Sequence, residues 1–424
     1  MHHKFLLIII LLLLLNSGCS PLPETSENSV PEQNYYIQEI AHLHIEDALQ
    51  NLPENTEIRA VWIPVMIYQK WMENQSEAQF RENVRQAFQN CSDLGLNTVF
   101  LHVRAYCDAY YQSNLFPSGA YLTGEYDPLS IMLEEAHAMH LSVHAWINPM
   151  RAQTPEKISH LDSRWILRQW YEDTQKNGTY LVNHDGRYYL NPAYPEVRQL
   201  IADGIAEIIQ NYPVDGIHID DYFYPTTNPD FDKQAFSESS ASDLADWRRT
   251  NCNEMIKLLY QTVKENNPDI PFSISPQGNF DVNYHELYAD VRRWSSESGF
   301  CDIIIPQIYY GFQNDTCPFA ETAQLWAETV TVPKLVIGLG AYKTGYSDQW
   351  AGSGQSEFLT DSTVISRELE YTATLEGLSG IALYSYTSIF EPEQEVSALV
   401  NEEKHHIADV FQKNSAPDDT GAES

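Results

Sequence analysis

The stretch Glu196–Pro225, EVRQLIADGIAEIIQNYPVDGIHIDDYFYP, contains the change of period that decides the fold. Up to Tyr212 the apolar residues Val197, Leu200, Ile201, Ile205, Ile208 and Tyr212 recur at three- and four-residue spacing, which is one face of a helix. From Val214 to Ile219 the pattern becomes a short β-branched run that stops at Asp220-Asp221-Tyr222-Phe223-Tyr224-Pro225. The same alternation extends in both directions. Strand-like runs occur at 59–65 (RAVWIPV), 97–103 (NTVFLHV), 141–147 (LSVHAWI), 271–275 (PFSIS), 301–308 (CDIIIPQI), 334–340 (KLVIGLG) and 379–384 (SGIALY). Between them lie amphipathic helices. One opens at the capping-box spacing Ser76–Gln79 and carries Phe80, Val84, Ala87, Phe88, Cys91 and Leu94 on one face. Several strands are apolar on both faces, as parallel strands covered by helices must be.

Eight such repeats predict one large α/β domain, a (β/α)8 TIM barrel over residues 57–400. The competing doubly wound sheet carries a glycine-rich phosphate loop after an early strand, and none is present. The longest connections, roughly 148–195 and 221–240, are expected to build much of the active-site rim.

Composition narrows the partners. Of 424 residues, 59 are Asp or Glu against 25 Lys or Arg, for a net charge of -34, with nine Trp and 26 Tyr. A surface this acidic repels phosphate backbones, so nucleic acid is not an expected partner. It suits neutral or cationic partners, including sugars stacked on aromatic rings; charge that serves solubility alone is the simpler alternative.

The N-terminus reads as a targeting segment. His2, His3 and Lys4 precede an apolar run from Phe5 to Leu15, then Asn16-Ser17-Gly18-Cys19. The run suits a signal peptide (1–18) and falls short of a spanning helix. Small residues before Cys19 resemble a bacterial lipobox. Acylated Cys19 is therefore expected to tether the protein to the extracytoplasmic face of a cell membrane, with plain secretion as the alternative. Residues 19–56 read as tether and lead-in, and 401–424 as a helix end and tail. Cys91, Cys107, Cys252, Cys301 and Cys317 match no zinc spacing, so neither a metal nor a cofactor is expected. Oligomeric state leaves no signal in the sequence.

In a barrel of this kind the active site lies at the C-terminal strand ends. In chain order these ends offer Arg59 and Trp62, His102 and Arg104, then Trp146, Asn148 and Arg151. The fourth offers Asp220 and Asp221, the fifth Gln277 and Asn279, and the sixth Gln307, Tyr309 and Tyr310. Tyr342 and Lys343 follow the seventh, and Tyr384 and Tyr386 the eighth. Acids concentrate at the fourth, making Asp220 and then Asp221 the candidate catalytic residues. Strand alternation points the two to opposite sides and puts His218 on the side of Asp220, one layer below. A carboxyl buried beside aromatics and a second carboxylate has its pKa raised, as a general acid requires. Trp62 and Trp146 are candidates for stacking on sugar. Arg59, His102, Arg104, Asn148, His218, Gln277, Gln307, Tyr309 and Tyr384 are candidates for positioning it. The structural alternatives are a turn role for Asp221, hydrogen-bonded shelf roles for His102 and His218, and an ion network joining Arg59 and Arg104 to the acids. A second carboxylate at another strand end is missing. Asp281, Asp315, Asp108 and Glu125 are possible partners, and assistance by a substrate N-acetyl group would remove the need for one.

Taken in order, RAVWIPV, GLNTVFLHVR, HAWINPMR, LNPAYPEVR, VDGIHIDDYFYP, SISPQGNF, IIPQIYYGF, LVIGLGAY and GIALYSY resemble the glycosyl hydrolase-like 10 family of bacterial exported proteins. The resemblance spans roughly residues 57–400. It implies a glycosidase of the bacterial envelope acting on a β-linked amino-sugar polymer, peptidoglycan glycan foremost, with Asp220 or Asp221 as general acid or base. The DGxxxD spacing of Asp215–Asp220 is also similar to that of family-18 chitinases. Their acid, a glutamate two residues further on, is replaced here by Tyr222, which puts that mechanism in doubt. Another exopolysaccharide or a glucan as substrate, or a carbohydrate-binding lipoprotein without turnover, are the alternatives.

Overall fold

A computed structural model describes residues 57–415; the expected signal peptide, Cys19, most of the tether and the end of the tail lie outside the described residues. Three strands open the fold: β1 (Ile58–Ile63), β2 (Thr98–Arg104) and β3 (Ser142–Ile147). A separate antiparallel hairpin follows, β4 (Leu181–His184) with β5 (Arg187–Leu190). Then come β6 (Gly216–Ile219), β7 (Phe272–Ile274), β8 (Ile303–Ile304), β9 (Gln307–Ile308), β10 (Lys334–Leu339) and β11 (Leu378–Leu383). Neighbouring barrel strands pair in parallel, and β1 pairs with β11, which closes the sheet and excludes the open doubly wound alternative. β8 and β9 form one stave interrupted at Pro306, which has no N–H to give the ladder. Pairing resumes beyond it, where the Gln307 amide donates to the Pro276 carbonyl at 2.9 Å.

Alternation sorts the strands into two cores. Val61, Val99, Leu101, Val143, Ile217 and Ile337 face outward into the large cluster shared with the helices. Inside the barrel a smaller apolar cluster holds Ala60, Trp62, Phe100, Trp146, Ile303, Ile305, Val336 and Ala382. The barrel is thus filled by side chains and is not a pore. The same interior carries buried His102, His144, His218 and Ser273. Gly216 makes room for one of them: a Cβ there would stand 2.6 Å from the His144 ring.

The covering helices follow their sequence signals. Glu77–Leu94 begins with the Ser76–Gln79 capping box and ends at Gly95 in the left-handed region. Pro195–Asn211 starts with proline at its first turn, where the missing N–H costs nothing. The connection after β3 is an ordered insert, with helices Pro155–Ser159 and Ile166–Glu172 ahead of the hairpin. The loop after β6 is held by Arg248, on helix Leu244–Asn266. Its guanidinium meets Asp232 through both carboxylate oxygens at 2.9 and 2.6 Å and also reaches the carbonyls of Thr226 and Asn228. Both ion-pair side chains are fully buried.

Candidate active site

A cavity of about 610 Å³ opens at the C-terminal ends of the strands, and Asp220 and Asp221 form part of its lining. β6 delivers Asp220 as its next residue, so the inward alternation Gly216, His218, Asp220 ends on a carboxylate that is only 3% exposed. The Trp146 indole N–H donates to its Oδ2 at 3.0 Å, and the Tyr222 amide donates to its Oδ1 at 3.3 Å. Burial, and then the charge of Asp221, hold the Asp220 carboxyl well above the usual carboxylate range. Burial also pushes Asp221 up, but the side-chain amides of Gln277 and Gln307 favour its charged form. The pair is therefore differentiated: Asp220 is the better proton carrier and Asp221 the better-solvated anion. Asp221 does not point away from the cavity as strict alternation predicted. The strand ends at Ile219, and beyond it the chain turns to bring both acids onto one wall.

Below the acids lies a relay of neutral groups. The Trp62 indole N–H donates to His218 Nε2 at 2.9 Å, and His218 Nδ1 lies 2.8 Å from the Ser273 hydroxyl. With Nε2 accepting, the ring proton sits on Nδ1 and donates to Ser273, whose hydroxyl passes on to the Ile217 carbonyl at 3.3 Å. Burial lowers the His218 pKa well below its ordinary value, consistent with a neutral ring. His102 stacks on Trp146 with ring centroids 3.7 Å apart, and burial pushes its pKa down to about 3. These two rings form the shelf that orients Trp62 and Trp146.

Trp62, Trp146, Gln277, Gln307, Tyr309 and Tyr384 line the same cavity as the acids. Tyr309, Tyr342 and Tyr384 make an aromatic wall, with centroid separations of 5.7, 5.7 and 5.8 Å. His102, His218 and Asn148 do not line the cavity and stand behind it; Asn148 donates to the Ala105 carbonyl at 3.2 Å. Two expectations are corrected. Arg59 is at the opening, not the end, of β1; it pairs with Glu57 at 3.0 Å and donates to the Phe411 carbonyl at 3.3 Å, far from the strand ends. Arg104 is turned outward by a register shift after His102. Its guanidinium lies 4.6 Å from the Phe116 ring centroid, against Gly204 of the neighbouring helix, and it reaches neither acid. Tyr386 is likewise outside the cavity, where it packs on Trp71 and receives a hydrogen bond from Asn90.

The proposed partner acids are also elsewhere. Asp108 is buried and accepts from the Ala105 and Tyr106 amides, Asp315 ties to Ser353, and Asp281 and Glu125 are exposed. None of the four lines the cavity. The third carboxylate of the lining is Asp348, engaged by Lys343, whose ammonium also donates to the Tyr309 carbonyl at 2.6 Å. Asp348 in turn accepts from the Trp350 amide at 3.1 Å. Trp350 is 80% exposed at the cavity edge, although its loop is pinned on both sides. Sequence reading missed Asp348 and Trp350 because they lie beyond the strand end, where no periodicity marks them. It also placed the rim in the connections after β3 and β6. Much of the rim comes instead from the loops after β9 and β10.

The glycosyl hydrolase-like 10 family model matches residues 57–351. Glycosyl hydrolase YngK of Bacillus subtilis (strain 168) is 31% identical, over 76% of this chain and 68% of its own. Glycosyl hydrolase DigH of Escherichia coli (strain K12) is 32% identical, over 72% and 76%. Among solved structures, the PgaB (BpsB) glycoside hydrolase domain from Bordetella bronchiseptica has the same fold. Its TM-score is 0.53 at 14% identity, covering 84% of this chain and 99% of that domain.

Proposed function

Since the chain belongs to the glycosyl hydrolase-like 10 family and is a glycoside hydrolase, we propose that it cleaves a β-linked amino-sugar polymer, peptidoglycan glycan in the first instance, from a membrane-anchored position in the bacterial envelope. The observation that carries the mechanism is the differentiated acid pair. Asp220, whose protonated form is favoured by burial and by the charge of Asp221, gives its proton to the bridging oxygen as the bond from that oxygen to the anomeric carbon breaks. Asp221, fixed by Gln277, faces the positive charge that develops on the sugar.

The lining supplies no free carboxylate on another wall, since Asp348 is occupied by Lys343. This favours the substrate's own acetamido oxygen as the group that closes on the anomeric carbon, with Asp221 accepting the acetamido N–H. Water then adds at that carbon and returns a proton to Asp220. Trp62, Trp146 and the tyrosine wall supply the apolar faces on which sugar rings stack.

Mass spectrometry of products from purified peptidoglycan, intact and stripped of stem peptides, tests this reading. Soluble fragments are expected from the parent protein, none from Asp220→Asn, and none from de-N-acetylated chains. A folded parent protein that releases nothing from either substrate refutes it. The anchor rests on the Ser17-Gly18-Cys19 motif; Cys19→Ser is expected to move the protein from the membrane to the soluble fraction.

A further inference from the structure

We propose that Trp350 and Asn314 form a distal sugar-binding subsite at the far end of the cavity, which takes an uncharged amino-sugar ring beyond the cleaved bond and makes the protein favour longer chains. This rests on the glycan-hydrolase reading and adds where along the chain the substrate is held.

The acids follow β6, whereas Trp350 lies in the connection after β10, three staves further round the barrel by way of β7 and the stave of β8 and β9. At about 4.8 Å per stave that is on the order of 14 Å around the rim, more than one sugar ring spans. Asn314, in the connection after β9, belongs to the same end. The Asp315 amide donates to the Ala351 carbonyl at 3.2 Å, so Asn314 and Trp350 each adjoin one half of this bond. The Ser353 amide adds a second link, to Asp315 Oδ2 at 2.8 Å. Glycine lets the two loops approach: a Cβ at Gly354 would stand 2.3 Å from the Gln313 carbonyl oxygen. Asp348 and Ala351 are buried, so the backbone around Trp350 is fixed while its indole stands open to the cavity edge.

The donors of the cavity divide between its two ends. Its lining holds four side-chain amides, and three are spent: Gln277 on Asp221, Asn279 on the Cys317 sulfur at 3.4 Å and Gln307 on the Ser275 carbonyl at 3.0 Å. Asn314 differs. The Thr316 and Cys317 amides donate to its Oδ1 at 3.0 and 2.9 Å, which fixes the orientation of the group. Both hydrogens of its side-chain nitrogen are left without an acceptor among the described residues, although Asn314 is only 4% exposed. The three indoles of the lining divide the same way: Trp62 donates to His218 and Trp146 to Asp220, while that of Trp350 meets no acceptor among the described residues. Exposed aromatic surface gathers here too. The most exposed large aromatics among the described residues are Tyr222, Tyr342, Tyr346 and Trp350; three of these line the cavity, and Tyr346 belongs to the loop of Trp350. With Asp348 neutralised by Lys343, this end offers an apolar face and unspent donors. A sugar ring complements both, its C–H face stacking on the indole and a hydroxyl or acetamido oxygen accepting from Asn314.

The test is a ladder of sized glycan oligomers prepared from peptidoglycan, from the disaccharide upward. For the parent protein kcat/KM is expected to step up by about 2- to 10-fold at the length that first reaches the subsite, the size of one aromatic contact or one hydrogen bond, and the step is expected to lie in KM. Trp350→Ala is expected to remove the step, and Trp350→Phe, which keeps a ring without the N–H, to restore part of it. Asn314→Asp keeps the oxygen that the Thr316 and Cys317 amides need and removes the donors, so it is expected to lower the step without loosening the loop. Equal kcat/KM at every length for the parent protein overturns the inference and leaves the hydrolase reading intact. So does a step that survives either Trp350→Ala or Asn314→Asp in full, or an equal loss at every length, which would put these residues at the cleaved bond. Should the parent protein cleave no oligomer, the hydrolase reading fails, and calorimetric binding of the same ladder decides the subsite. Affinity that steps up with length and loses the step in Trp350→Ala upholds it; affinity that is independent of length, or a step that Trp350→Ala retains, overturns it.

Discussion

Two groups of buried carboxylates in this molecule share the same shift and do different things. At the cavity, Asp220 and Asp221 are both pushed upward by burial. Between helices Val364–Thr372 and Ser397–Ser415, Glu368 is 0% exposed and neither of its oxygens has a partner. Burial, with the nearby Glu403 and Glu357, holds Glu368 well above the usual range, while Lys343 and Arg367 oppose this. Glu403 is pushed up to about 7, yet it accepts from the amides of Ile365 and Ser366 and so closes the first turn of a helix. A raised pKa is therefore common to both groups. What separates them is an open cavity and side-chain donors aimed at the carboxylate: Trp146 on Asp220 and Gln277 on Asp221. Burial makes a proton carrier; access and orientation make it useful.

The largest effect that tests this contrast is on turnover. Asp220→Asn is expected to lower the rate by about 10²–10⁴-fold with glycan binding retained, and Glu368→Gln to leave it unchanged, as read by product release. A large loss in Glu368→Gln would erase the distinction.

Next in size is the buried ion pair behind the acid loop. Removing Arg248 leaves Asp232 charged and unpaired, at a cost of about 3–5 kcal/mol in denaturant unfolding.

Glu368, the acid without donors, acts in the opposite sense. The folded pKa of Glu368 lies above its unfolded value, so the folded chain keeps a proton that the unfolded chain has released. Stability is then fullest below about pH 4 for this group and falls as pH rises toward the folded pKa. Glu368→Gln is expected to add about 1–3 kcal/mol at pH 8 and to flatten the decline in melting temperature between pH 5 and 8.

The smallest effect belongs to the rim. Trp350→Ala is expected to raise KM for long chains by about 2- to 10-fold with kcat unchanged and short oligomers unaffected, the size of one aromatic contact. An equal change for short oligomers would place Trp350 at the cleavage point, not beyond it.

Much of this was legible before any coordinates. The change from helical to strand period at Tyr212–Val214 gave the repeat, and the acids at the end of the fourth strand stood out because other strand ends offered aromatics and amides. Two of the errors come from assuming that strand alternation is unbroken. It put Asp221 on the wrong side, because β6 stops at Ile219, and it left Arg104 facing inward, because it could not see the register shift after His102. Arg59 was assigned to the wrong end of its strand. Asp348 and Trp350 lie in a loop whose shape is set by contacts with Lys343 and with Asp315 of another connection, and no local pattern encodes such contacts.

The hydrogen bond from the Trp146 indole to Asp220 has one more consequence. It joins a chromophore to the proposed acid, so the arrival or departure of the proton changes the electric field on the indole. The difference in ultraviolet absorption between the parent protein and Trp146→Phe, followed across pH, becomes an internal optical titration of Asp220. The ionisation of the acid can then be followed in the resting protein, with no substrate present.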